Sequence, residues 1–485
     1  MSGLVTVSSP SATARPAAPA PVNQLARWDA TTGFPGVTQG VTTSGNVVRL
    51  SKPTSKRRYA KRTWRYGSWT SGWVRPRAGW SFDQVVPSWS ATTPKNTFVE
   101  IKMRARTTTG AISGWKVMAR WASGEWIRRT SSSSQADGVA KVATDTLVAA
   151  SSPNLDSYEI AVFLHRGARS KRTPTVRMLT ALSSRTRSSG SPSSWAGVNT
   201  TLALPQFSQM IHRGRYRQYG GGGAAWCSPT SLTMILGYYG KAPTPREYSW
   251  VARGYADPYV AQAARATYDV GWSGTGNWSF NMAYANSRGL DAFVTRLNDL
   301  REAERFIAAG IPLAASISFS PGQLSGAPIS STPGHLVVIV GFTASGAVVV
   351  NDPAAPSNAS VRRVYNRAQF EAAWLRKSSG AVYVVHDAAH PLPPGRHRYQ
   401  LEVTDDSGNV SAPDSVIVII ADRQRPTAVL EGPAVVDLFV VDEHVCFGEY
   451  EDVCGGCLDG SVVGVAAVER ACAVVADDGY WGVVV

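Results

Sequence analysis

The first 388 residues contain a single cysteine, Cys227, while Cys446, Cys454, Cys457 and Cys472 crowd into the end of the chain. A lone cysteine cannot close a disulfide within its own domain, so it is either a small buried apolar residue or a reactive thiol. Long apolar runs are missing too. No window approaches the roughly 18 residues that a membrane-spanning helix needs, and Val416 to Ile420 is strand-sized. Acidic residues are scarce in the same 388 residues, which carry 44 Lys and Arg against 18 Asp and Glu, whereas 389–485 carry 16 acidic and 5 basic side chains. The chain therefore divides into a part of net charge +26 and a part of −11. With 485 residues, 44% of them hydrophobic, 29 Pro and 44 Gly, wholesale disorder is excluded. The length suits about three loop-rich domains of roughly 150 residues.

Residues 1–22 are rich in Ser, Ala, Thr and Pro and read as a flexible extension. They show no charged start followed by an apolar core, so no secretory signal is visible. From 23 to 188 apolar residues alternate with polar ones, as in Phe98, Ile101, Met103, in Trp115, Val117, Ala119, Trp121 and in Tyr158, Ile160, Val162, Leu164. No amphipathic helix interrupts them, which predicts a β-sandwich or jelly roll. Inside it, Lys52, Lys56, Arg57, Arg58, Lys61, Arg62 and Arg65 interleave with Tyr59, Trp64 and Tyr66. Such a stretch is either a patch for an anionic polymer or a sheet edge protected by charge, the second being the simpler reading.

Residues 189–200 have linker composition, and 201–388 turn to mixed helix and strand. Thr244, Pro245 and Glu247 have capping-box spacing, as do Asn366 and Gln369 ahead of Phe370 and Trp374. From 389 to 425 the pattern is strand, turn around Asp405–Asn409, strand, as in part of a small immunoglobulin-like or PKD-like β domain. The acidic tail 426–485 has no clear punctuation. Only one of its cysteine gaps is short, which argues against a zinc knuckle.

Around Cys227 stand Gly220 to Gly223, Trp226, Ser228, Pro229, then Leu232, Ile235, Leu236 and Tyr239 at helical spacing, and Gly240. Ser228 suits the cap, Pro229 the first turn and Gly240 the end, so Cys227 is expected at the mouth of a helix. There unpaired N–H groups and the positive end of the dipole favour thiolate over thiol. A thiolate needs a proton partner. Gly334 to Phe342 reads as a strand, Thr343 to Gly346 as a turn and Ala347 to Val350 as the returning strand, ending in Asn351-Asp352-Pro353. A hairpin on that turn sets position 335 opposite about 352–354, bringing His335 and Asp352 together, with Asn351 on the other face. His212 and His386 are the other histidines available as proton partners. A carboxylate beside an imidazole fixes its tautomer and stabilises the imidazolium, the third-group role in a Cys-His-Asp system.

Phe207-Ser208-Gln209, the glycine-rich approach to Trp226-Cys227-Ser228-Pro229-Thr230-Ser231, Gly334-His335 and Asn351-Asp352-Pro353 resemble family thirty-nine of the cysteine peptidases. These are relatives of papain-like enzymes, and their best-known members cut leader peptides after Gly-Gly. The resemblance covers roughly 201–388. It implies that Cys227 is the nucleophile, His335 the general base and then acid, Asp352 the orienting carboxylate, and Gln209 an oxyanion-hole donor. An insert puts Gln209 18 residues ahead of Cys227, longer than the family leads one to expect, so Gln206 and Gln218 stay open as alternatives. Ser228-Pro229 stands where many members have Gly-Pro, and there is no P-loop motif of an accompanying transporter.

The expected fold class is α+β, a papain-like peptidase domain preceded by an all-β sandwich and followed by a partial immunoglobulin-like segment. The expected function is hydrolysis of peptide bonds through an acyl-enzyme without metal or other cofactor. The alternatives are a cell-wall amidase or acyltransferase using the same residues, and a non-catalytic wall- or glycan-binding protein. Trp226, Trp272, Trp278 and Tyr284 are candidates for the substrate groove or the core. Expected partners are a peptide or protein substrate and an anionic cell-wall polymer bound by a dispensable basic N-terminal domain. Nucleic acid is not expected. The resemblance is to stand-alone secreted bacterial members, which implies an extracellular or cell-envelope location.

Overall fold

The computed structural model describes residues 23–76, 79–151, 154–186 and 192–393, and beyond these the seven strands between 395 and 484 named below. The extension 1–22 and the turn Asp405–Asn409 lie outside the described residues. Two units divide the chain, one ending at Asp387 and the other beginning at Ala388.

Residues 23–184 form two antiparallel sheets of seven and six strands, the sandwich that the period-two pattern predicts. Ile101, Met103, Ile160, Val162 and Leu164 point into its core, where they meet Trp28, Trp69, Trp89 and Trp121. Phe98 departs from the expected pattern. An odd spacing separates it from Ile101, so it faces the other side of the sheet, stacked on His165 at 4.2 Å and packed with Trp64. The turn clusters Thr107–Gly110 and Ser131–Ser134 lie between strands, as read from the sequence.

The second part of the first unit is a sheet in the order Asp291–Arg296, Ala381–His386, Leu313–Phe319, Thr332–Phe342, Val348–Asn351, Arg362–Tyr365, with Thr200–Thr201 beside Thr332–Phe342. Helices α1 (Cys227–Tyr238), α2 (Pro258–Thr267), α3 (Trp278–Ser287), α4 (Leu300–Ala308) and α5 (Arg367–Ser378) accompany it. Alternate residues Leu336, Val338 and Val340 share a buried cluster with Leu232, Ile235 and Leu236 of α1, which fixes α1 across the sheet. Asn366 caps α5 by accepting from Gln369 N, as its spacing predicts, and Phe370 and Trp374 are fully buried. The Thr244–Glu247 pair also closes, yet residues 245–250 form turns and not a helix. Tyr248, Trp250 and Val251 still pack into a cluster with α2, but Gly254, at φ +75°, leaves the segment too short to propagate a helix, and the Glu247 carboxylate is also taken by Arg288. No helix among the described residues is long and apolar enough to cross a membrane.

The sandwich and this second part share buried surface. Phe280 and Ala283 of α3 belong to the sandwich core, and Val86 and Leu182 of the sandwich belong to the core around α1. Polar bonds stitch the same seam: Asp145 accepts from Trp278 N at 2.5 Å, Asp269 from Ser131 N at 2.9 Å, and Asn286 donates to Trp89 O at 3.1 Å. Arg296, fully enclosed, reaches Ser184, Gln84 and Ser378 O. A domain expected to be dispensable thus completes the packing of α3, since removing it would expose Phe280 and strand these polar groups. The 192–200 linker is held as well, through Ser193 N on Glu371 and Ala196 N on Glu304.

In the second unit Gly395–Leu401, Asp414–Ile420 and Thr427–Leu430 form an antiparallel sheet, so the expected β segment runs past 425. Leu438–Val441, His444–Phe447, Cys472–Val475 and Trp481–Val484 form another, in the tail that the sequence left unassigned. Cys454 and Cys457 lie outside the described residues.

Candidate active site

Helix α1 begins at Cys227, with Trp226 as its N-cap and no side chain capping it. Ser228, expected as the cap, lies inside the first turn, and its hydroxyl bonds Tyr383 OH at 2.8 Å. Ser231, one turn on, donates to Leu336 O at 3.0 Å. These two hydroxyl pins fix the register of α1 over two strands, which holds Cys227 beside the residue preceding Leu336. Gly240, at φ +65°, ends the segment, with Lys241 N returning to Leu236 O.

His335 and Asp352 are 4% and 1% exposed, and His335 Nε2 lies 2.7 Å from Asp352 Oδ1. A carboxylate only accepts, so Nε2 carries a proton and Nδ1 is left to serve the Cys227 sulfur, whose ionised form His335 stabilises. The hairpin register, Val338 opposite Asn351, places position 335 opposite 354, and Asp352 follows directly on the end of the returning strand. Asn351 points elsewhere, to Pro205 O, Met234 Sδ and Arg362. Asp352 is held by Ala354 N on Oδ1 at 2.9 Å and by Tyr365 OH on Oδ2 at 2.7 Å.

Burial raises the Cys227 thiol, but the bond and charge of His335 and the N–H groups of Leu336 and Ser228 outweigh it, leaving the thiol below its ordinary value. Burial lowers His335, and the charge and bond of Asp352, with the sulfur, more than reverse that, so its pKa is raised. Asp352 is pushed up by burial and pulled further down by His335, Tyr365 and Ala354 N. All three shifts favour thiolate beside imidazolium beside carboxylate. Cys227 as a residue is partly exposed, at the mouth of α1.

Of the three glutamines, Gln209 alone is bonded next to this group. Its backbone N donates to Pro353 O at 2.8 Å and its side-chain Nε2 to Ala224 O at 2.8 Å, three residues ahead of Cys227. Ala224 O only accepts, which fixes the nitrogen end of the amide, and the second Nε2 hydrogen stays available. Gln209 is 4% exposed. Gln206 supports Arg362 N, and Gln218 is exposed.

The glycines ahead of Cys227, read from sequence as allowing close approach to a ligand, serve the loop itself. A Cβ on Gly222, at φ +93°, would lie 2.5 Å from Arg215 O, and one on Gly223 would lie 2.4 Å from Gln209 O. They let the insert 210–225 fold back on Gln209. His212 sits in that insert, buried, its Nδ1 2.9 Å from Tyr255 OH, and burial lowers its pKa to about 4. It is bonded to neither Cys227 nor Asp352, and His386 lies at the far end of the sheet, paired with Asp291. Trp226 is fully buried, its indole N–H on Tyr219 O; Tyr284 is buried and Trp278 half-buried, so only Trp272 remains open to solvent, 46% exposed. Tyr365 and Tyr383, which hold Asp352 and Ser228, escaped the sequence reading because each is a single aromatic residue in a strand.

Two family models match the chain. Residues 24–184 match the Peptidase C39 N-terminal domain, and residues 201–382 match the Peptidase_C39 like family. No curated protein matches it.

Proposed function

The chain is a C39-like peptidase, and from that premise we propose that it hydrolyses peptide bonds with Cys227 as nucleophile, His335 as proton carrier and Asp352 as its orienting carboxylate. We read α1 laid across the antiparallel sheet as a papain-like arrangement. In the proposed mechanism the Cys227 thiolate attacks the scissile carbonyl carbon. The oxyanion takes hydrogen bonds from the Cys227 backbone N–H at the mouth of α1 and from the second Nε2 hydrogen of Gln209. Imidazolium His335 gives its Nδ1 proton to the departing amine, which leaves Cys227 as a thioester. Neutral His335 then takes a proton from water, whose oxygen attacks the thioester, and the acid and the starting ion pair are regenerated. Asp352, held on both oxygens, keeps Nε2 protonated so that Nδ1 is the nitrogen that cycles.

The observation that supports this reading most directly is the buried His335–Asp352 hydrogen bond beside Cys227 at the mouth of α1. A cell-wall amidase or acyltransferase would use the same atoms and differ in what the groove accepts. Both are tested by incubating the protein with a peptide library and with wall fragments, wild type beside Cys227→Ala. Cleavage of peptides by wild type and none by Cys227→Ala is the expected result. A Cys227→Ala protein with full turnover overturns the mechanism. If neither substrate is cut and the thiol alkylates no faster at neutral pH than a free cysteine, a non-catalytic binding role replaces it. Gln209→Ala should lower turnover by about 10²–10³-fold while alkylation of Cys227 stays near wild type.

A further inference from the structure

Two stretches that meet at one end of the β-sandwich carry positive charge and no negative charge of their own. Residues 51–66 contain seven Lys and Arg and residues 165–172 contain four, with no Asp or Glu in either stretch. The register joins the two stretches: Lys56 stands opposite Arg65, and Arg65 opposite Arg166, across three neighbouring strands. Cross-strand partners share a face with Cβ atoms about 4.5–5.5 Å apart, so three cations stand in a row. Arg58 and Lys61 extend the charge along the hairpin, and Arg169, Lys171 and Arg172 add to it from the following loop, all of them exposed. None of these eight forms an ion pair among the described residues. Arg57 and Arg62 differ, because alternation turns them to the opposite face, where Arg57 meets the buried Glu100 at 2.7 Å and Arg62 lies over the Trp64 ring.

Protection of a sheet edge explains part of this pattern, since Ser55–Tyr59 is an edge strand. It does not explain Arg65 and Arg166, which sit on strands Arg62–Thr70 and Leu155–Gly167, each paired on both sides. Like charges directly opposite each other on interior strands destabilise a sheet unless something neutralises them, and among the described residues no carboxylate pairs with this row. We propose that this end of the sandwich is a docking surface for a phosphodiester polymer with a saturated polyol backbone, whose phosphates neutralise the Lys56–Arg65–Arg166 row. A nucleic acid fits less well, because the cationic face offers no stacking platform. Trp64 is fully buried, and Tyr59 and Tyr66 lie with Trp64 on the other face of the hairpin. The surface uses no residue of the Cys227 centre, so it tethers the protein without occupying that centre.

The test titrates full-length protein against labelled poly(glycerol phosphate) at low and high salt, beside single-stranded DNA of matched charge and uncharged dextran. The expected result is binding of the polyol phosphate that weakens steeply with salt, weaker binding of DNA and none of dextran. Replacing three phosphate contacts in Lys56→Gln/Arg65→Gln/Arg166→Gln should lower the log–log salt slope by about two and weaken binding at least about tenfold. Its thermal midpoint should equal or exceed that of wild type, because the row of like charges is gone. A second variant, Arg58→Gln/Lys61→Gln/Arg172→Gln, changes exposed side chains alone and should weaken binding in the same direction with folding intact. Binding unaltered in the second variant, absence of binding at low salt, or tighter binding of DNA than of the polyol phosphate would each overturn the proposal.

Discussion

Two buried histidines flank the Cys227 region, one in the insert that precedes it and one in the hairpin beside it, and their environments drive them in opposite directions. Burial disfavours the charged form of both. At His212 the ring stacks on Tyr255 with the neutral Tyr255 hydroxyl on Nδ1, and Asp257 pulls the other way without overcoming burial, so the pKa falls to about 4. At His335 a carboxylate bonds one nitrogen and the Cys227 sulfur adds to its pull, and the pKa rises. Burial alone therefore does not prepare a histidine for proton transfer. A fixed opposite charge in contact with the ring does.

The largest effect expected from breaking this contrast is at His335 itself. His335→Ala should remove nearly all turnover, on the order of 10⁴-fold or more, because residues acting as one unit lose their effect together. With its imidazolium gone, burial of the Cys227 sulfur is opposed only by backbone N–H groups. Alkylation at neutral pH should slow and its midpoint move upward, which a pH series of alkylation rates measures. Asp352→Asn comes next, at about 10²–10⁴-fold, since Asn still bonds the ring but carries no charge. Its pH signature has a definite sign. A raised His335 pKa contributes stability that is present below the unfolded value of about 6.5 and lost as pH rises through the folded value. Asp352, lowered, contributes stability present above about 3.9 and lost as pH falls through its folded value. The variant should lose both contributions, so its thermal midpoint should vary less with pH at both ends than that of wild type.

Asp145 sharpens the comparison from the acidic side, as a carboxylate buried without a cation in contact. Burial raises it to about 6, although Trp278 N and the Thr146 hydroxyl bind it. The folded protein then holds a proton that the unfolded chain has lost, so stability falls as pH rises from about 4 to 6 and levels off above. The amount is about 3 kcal/mol at full burial. Asp145→Asn keeps an acceptor for Trp278 N and should flatten that slope, with the variant gaining on wild type between pH 4 and 7. Equal pH slopes in denaturant melts of the two proteins would show that Asp145 ionises freely.

Much of this was legible in the sequence, for local reasons. Period-two alternation gave the sandwich, Asn366 with Gln369 gave the start of α5, and turn arithmetic brought His335 and Asp352 together. What was not legible depends on contacts between distant segments. Nothing in the 23–188 pattern distinguishes Phe280 or Trp278 as a neighbour of the sandwich, so the buried seam that ties the two parts together stayed invisible. Ser228 reads as a helix cap until Tyr383, 155 residues away, claims its hydroxyl. The basic run at 52–65 was visible as charge, but the row with Arg166 depends on strand register. Gln209 was ambiguous because the insert breaks the spacing, and only the bond to Ala224 O sets it apart from Gln206 and Gln218.

The smallest expected effect is at His212, and it is the one that tests whether the two buried histidines are functionally separate. Phe is close to His in shape and should occupy the same space against Tyr255 and Trp226, whose rings lie 5.3 and 5.8 Å from that of His212. His212→Phe forfeits one hydrogen bond to Tyr255 OH, worth about 1 kcal/mol, while Nε2, buried with no partner, is no loss. Turnover at neutral pH should change little, because a histidine already neutral there exchanges no proton with Cys227. The difference should appear on acidification. Wild type must charge His212 as pH falls from about 6.5 toward 4, and a lowered folded pKa means that the folded state loses stability over that interval. The Phe variant has nothing to charge and should unfold at lower pH than wild type in an acid titration followed by fluorescence. If turnover instead falls as steeply as in His335→Ala, His212 belongs to the catalytic centre and the separation drawn between the two histidines is wrong.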